Sequence, residues 1–140
     1  MCFSAGASFT ASAVVATAGV VSIAGVKKKT QLMFASIPII FALQQLVEGF
    51  VWFSFTDENY RSWQNMLVMS FLFIAQVVWP LWVPLAVLQT ETERRRRSAL
   101  KVLVLISCIV APLQAYRLFF FPATAELSPH HIHYALDFSI

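Results

Sequence analysis

The chain has 140 residues, of which 59% are hydrophobic and 12% charged, and its mean hydropathy is +0.71. A soluble domain carries about 25% charged residues, and a fold this short has too little interior to hide so much apolar surface, so lipid is expected to act as part of the solvent. The net charge of +3 does not point to nucleic acid, because no aromatic-interleaved basic surface accompanies it.

Eight of the ten Lys and Arg residues fall in two blocks, Lys27-Lys28-Lys29 and Arg94-Arg95-Arg96-Arg97 with Lys101. Each block separates long apolar runs, the pattern by which multi-pass membrane proteins mark their cytoplasmic loops. The expected partner of these loops is a bilayer with anionic headgroups. The two cysteines, Cys2 and Cys108, lack a Cys-x-x-Cys spacing, so neither structural zinc nor a redox pair is signalled.

The first span is predicted over residues 3–26. It holds no Lys or Arg, so the basic region of a secretory signal is missing and the segment reads as retained. Ser8, Ser12, Ala16 and Gly19 share a helical face. Small residues allow close helix approach in lipid, which predicts a helix interior to a bundle. The second span is predicted over 32–55, with Pro38 early enough to cost little. The third, over 66–88, carries Pro80 and Pro84 and is expected to kink in its cytoplasmic half. The fourth runs over 100–121 and is stopped by Pro122. Each has roughly the 20 residues needed to cross the hydrocarbon. Ser128-Pro129 reads as a helix start, which predicts a short or partial fifth helix over 129–140. The expected fold is all-α, a single polytopic bundle with four spanning helices, because lipid leaves no backbone polar group free to go unpaired. The basic loops, 27–31 and 89–99, place both on the cytoplasmic side of an inner membrane, with the N-terminus and residues 122–134 outside.

The second span contains Gln44, Gln45, Glu48 and Trp52 on one broad face. Glu48 is expected about 10 Å below the outer interface, from the helical rise. An ionisable group at that depth is costly and reads as functional by default; the alternative is a hydrogen-bonding hub that staples helices. Gln114 and Arg117 on the fourth span reach a similar depth, and a Glu48–Arg117 pair would remove two charges from lipid together. Its alternative is Arg117 reaching the outer headgroups. Gln76 would complete a polar core. Trp52, Trp63, Trp79 and Trp82 fit interfacial belts. In a helical tail, His130, His133 and Asp137 would share a face and suit a divalent metal. Cys2 is weighed as a nucleophile or acylation site, without a base near it in sequence.

The opening Met1-Cys2-Phe3-Ser4-Ala5, the segment Gln44-Gln45-Leu46-Val47-Glu48-Gly49-Phe50-Val51-Trp52, and His131-Ile132-His133-Tyr134 together resemble an uncharacterised family of bacterial multi-pass membrane proteins. The resemblance implies Cys2, Gln45, Glu48, Trp52, His131 and Tyr134 as motif positions, with no chemistry attached. It also implies that members continue beyond the His/Tyr segment, so that this chain is a truncated member. The leading functional expectation is binding or passage of a small polar solute or proton centred on Glu48, without enzymatic turnover. The alternatives are a membrane-embedded metal enzyme using His130, His131 and His133, and a structural subunit of a homo-oligomer or larger membrane complex.

Overall fold

The computed structural model describes residues 4–121, 123–128 and 131–136. In chain order the helices are α1 (Ala5–Ala24), α2 (Leu32–Ala35), α3 (Ile37–Thr56), α4 (Glu58–Arg61), α5 (Gln64–Phe73), α6 (Trp79–Thr90) and α7 (Arg94–Phe120), followed by strands β1 (Ala123–Ser128) and β2 (His131–Leu136). Grouped by continuity, four helical stretches are long and apolar enough to cross a membrane: Ala5–Ala24, Lys29–Thr56, Gln64–Thr90 and Arg94–Phe120. Each of the four predicted spans lies on one of them.

The first helix starts where Ser4, in extended backbone, accepts the Ala7 N–H on its hydroxyl at 3.2 Å, a normal N-cap arrangement. Its small-residue face buries Ser8, Ser12 and Gly19 against α3. Ser12 Oγ donates to the Ala42 carbonyl at 2.8 Å. At Gly19 a Cβ would stand 2.5 Å from Ile39 Cδ1, and at Gly49 one would stand 2.6 Å from the Phe9 ring. These contacts run in opposite directions along the two helices, so α1 and α3 pack antiparallel with backbones in close approach. The remaining circumference of α1 is largely exposed, with Val14, Val20 and Val21 all more than 60% accessible. The expectation of an interior helix is thus corrected: among the described residues α1 is peripheral. A small-residue stripe reports one close neighbour and says nothing about the other faces.

The second long stretch enters through a 3-10 turn at Lys29–Gln31 and α2, and Pro38 sits in the first turn of α3, where its missing N–H has no helical partner to lose. The third stretch is interrupted. A π-helical segment, Ile74–Val78, separates α5 from α6. In an unbroken α-helix the Pro80 ring would strike the carbonyl of Gln76 four residues earlier; a π turn just before it relieves that clash. Pro84 then lies inside α6 and Pro112 inside α7. The fourth helix begins at Arg94, earlier than the predicted start at 100, because the arginine block is itself helical.

Beyond α7 the chain forms an antiparallel hairpin, with Ala125 opposite Tyr134 and Leu127 opposite Ile132. This replaces the expected fifth helix over residues 131–136. Ile132 and Tyr134 alternate with His131 and His133, and a period of two places the first pair on one side of the strand. Ile132 is buried with Val51, Trp52, Val68, Phe71, Leu72 and Leu118, and Ala125 and Tyr134 pack against the same cluster. The hairpin therefore covers the end of the bundle opposite the Lys and Arg loops.

Candidate functional site

The polar groups of α3 are held inward by their spacing. Gln45, Glu48 and Trp52 follow at i, i+3 and i+7 and are buried, as is Gln44 beside them. Glu48 is 1% exposed. The flanking residues fix this face in place. On one side Gly49 admits the Phe9 ring of α1, which also meets Phe50 edge-on at 5.3 Å and Phe53 at 5.2 Å. On the other side the Trp79 indole N–H donates to Gln44 Oε1, which ties α3 to the start of α6. Nearer the basic loops, Trp82 Nε1 donates to the Met33 carbonyl at 3.1 Å and to Ser36 Oγ at 3.2 Å.

These indoles revise the interfacial-belt expectation. Trp79 and Trp82 join helices and Trp52 is buried, while Trp63 is exposed. Their N–H groups explain the difference: inside an apolar bundle each donor needs an acceptor, and Gln44 and Met33 supply two.

The hairpin brings the second part of the site. The Tyr134 ring stacks on Phe71, centroids 4.9 Å apart and 16° from parallel. Its phenol is pushed above the ordinary tyrosine value, first by burial and then by the negative charge of Glu48. That coupling sets the Tyr134 hydroxyl within electrostatic reach of the Glu48 carboxylate. Three motif positions from distant parts of the sequence, Glu48, Trp52 and Tyr134, thus converge on one end of the bundle, with Gln45 on the same helix face.

Ser8 was not singled out for chemistry, yet it is wholly buried. By the register of α1 on α3, with Phe9 at Gly49 and Ser12 at Ala42, it lies at the level of Gln45 to Gly49. Its only signal in sequence was membership of the small-residue face. Ser8 Oγ, Trp52 Nε1 and Tyr134 Oη are buried without hydrogen-bond partners among the described residues. A buried polar atom left in that condition costs about 1–3 kcal/mol. Two hydroxyls and an indole N–H in that condition are groups that a polar guest would satisfy, and Glu48 adds a carboxylate able to take a proton or face a cation.

The other expected members take different settings. Gln76 lies in the π segment and is half-buried. Arg117 is exposed and donates to Gln114 Oε1 at 3.2 Å, whereas Glu48 is enclosed. His133 is exposed on β2, opposite Glu126, and the backbone of His131 pairs with that of Ser128. Because 131–136 is a strand, the helical spacing that would align His133 with His130 and Asp137 is not met there. Cys2, His130 and Asp137 lie outside the described residues. Among the described residues no group of three or more His, Cys, Asp and Glu is placed to hold a metal ion.

Four helices of membrane-crossing length, one of which carries an enclosed carboxylate beneath a capping hairpin, define a helical protein with the makings of a polytopic membrane bundle. The chain belongs to a family of unknown function, DUF6629, which matches residues 1–140. No curated protein and no solved structure matches it.

Proposed function

We propose that the chain is a multi-pass inner-membrane protein that binds or passes a small polar solute or proton, with Glu48 as the central group. The observation that carries this reading is the position of Glu48: a carboxylate 1% exposed, midway along α3, with Trp52 and Tyr134 toward the hairpin end. A carboxylate at membrane depth is costly unless something neutralises it, and a proton or small cation does so directly. Gln44, Gln45, Gln76, Gln114 and Arg117 are the further polar groups along the proposed route, with Arg117 as counter-charge for Glu48. The basic loops lie in the cytoplasm and the hairpin outside, following the charge asymmetry.

The test is flux in proteoliposomes with a pH-sensitive dye inside, under an imposed proton gradient and with candidate small solutes added in turn. Glu48→Gln keeps the shape and removes the charge. The expected result is loss of flux to the protein-free background, with an unchanged elution profile in detergent. A Glu48→Gln protein that conducts as well as the parent overturns the assignment. Labelling of single cysteines at positions 28 and 95 from the cytoplasmic side alone is the expected outcome for topology.

A further inference from the structure

At the opposite end from Glu48, the last turn of α1 and the entry to α3 leave a groove of about 550 Å³, lined by Ser22, Gly25, Val26, Phe34, Pro38 and Thr90 among others. Its walls are mostly apolar, and polar groups occur at Ser22, Gln31 and Thr90. The loop between the first two long helices is Lys27, Lys28 and Lys29, all exposed. That loop is held in place: Gln31 Oε1 accepts the backbone N–H of Lys27 at 3.3 Å and of Lys28 at 3.2 Å. Three ammonium groups are therefore carried on a fixed turn directly between two groove-lining residues, Val26 and Gln31.

The acids of the other basic loop, Glu91 and Glu93, are outnumbered by Arg94–Arg97 beside them in the chain. Glu91 accepts the N–H groups of Thr92 and Glu93, both at 2.9 Å, and Glu93 pairs with Arg96 at 2.7 Å. A groove with an apolar floor and a cationic rim, at the ends of membrane-length helices, matches a molecule with an anionic head and a hydrocarbon tail. We infer that this groove binds one anionic phospholipid, its phosphate against Lys27–Lys29 and an acyl chain along Phe34 and Pro38. Basic pockets between helix ends on the cytoplasmic side are suited to anionic headgroups. The inference needs the bilayer but not the role of Glu48, so the two stand or fall separately.

The experiment is native mass spectrometry of the full chain after exchange into mixed micelles holding phosphatidylglycerol and phosphatidylcholine. The expected result is one retained phosphatidylglycerol per chain, in preference to phosphatidylcholine. Replacing Lys27, Lys28 and Lys29 together by Gln is expected to weaken retention on the order of a hundredfold, at about fivefold per lysine. Gly25→Leu fills the groove with the lysines intact. A Cβ there meets only the Val21 and Ser22 carbonyls, at 3.5 and 3.6 Å, so the backbone accepts it, and lipid retention is expected to fall with no change in thermal midpoint. Equal retention of the two lipids, or retention unmoved by either variant, overturns the inference. So does displacement of the lipid by millimolar inorganic phosphate alone, which would mark a free-anion site. A shift in the dimer population with unchanged lipid would assign the groove to a second copy of the chain.

Discussion

The helices α3 and α7 both carry a long apolar run and have opposite surroundings. Both belong to stretches of nearly equal length, whose membrane-length apolar segments have mean hydropathies of 1.6 and 1.9. Yet α3 buries eight residues, four of them polar or charged, whereas α7 buries Ser107, Ala111 and Leu118. Overall apolarity, then, does not say which helix is central. What separates the two is where polar side chains sit and where glycine permits contact. Gln44, Gln45, Glu48 and Gly49 cluster on the enclosed side of α3, while Arg117, the charged group in the apolar part of α7, is exposed. The helix with the more apolar membrane-length segment is the more peripheral one, the arrangement expected of a bundle whose outer side chains face lipid.

Several substitutions sharpen or break this contrast, and unfolding in detergent followed by circular dichroism reads the first four. Leu118→Ala removes the large buried side chain of α7, 1% exposed, and is expected to cost about 3 kcal/mol. The adjacent Phe119→Ala, on the exposed side, should change stability by less than about 0.5 kcal/mol. Equal effects at the two positions would mean that α7 does not present the face described. Gly49→Val drives a side chain into the Phe9 ring and is expected to cost roughly 2 kcal/mol; a neutral result would break the close approach of α1 to α3. Ser12→Ala removes one interhelical hydrogen bond and should cost about 0.6 kcal/mol, near the average for such bonds in membrane helices.

The smallest effect is on titration. The unfolded phenol ionises near its ordinary value of about 10, while that of Tyr134 ionises later because burial and Glu48 raise it. The stabilisation linked to this shift is complete below the ordinary value and is lost as pH rises beyond it. The ultraviolet phenolate transition that disappears in Tyr134→Phe is expected above the ordinary value, and in Glu48→Gln it is expected to move to lower pH.

The four long helices were legible because hydropathy and charge placement are coarse, cumulative signals. Their ends were less so: hydropathy marks the apolar part of a helix, and Arg94–Arg97 extends α7 beyond it because arginine is a good helix former. The hairpin was misread because Ser128-Pro129 is a strong helix-start pattern, and it outweighed the alternation in His131-Ile132-His133-Tyr134. The face that holds Gln45, Glu48 and Trp52 followed from helical periodicity. Its companions did not: Tyr134 joins through the pairing of β2 with β1, and Ser8 through the close packing of α1 on α3.

The π segment at Ile74–Val78 also sets the phase of the third long helix. Its wider turn adds a residue without adding a full step of rotation, so the two halves address different neighbours: α5 lies on α3 and β1, and α6 on α7 and α2. Winding the same residues as ordinary α-helix would leave the helix apolar and unbroken in outline, yet swing everything after it by roughly 100°, the full step that the extra residue would then bring. Trp79 would lose Gln44, and the half that adjoins the arginine block would face the wrong partners.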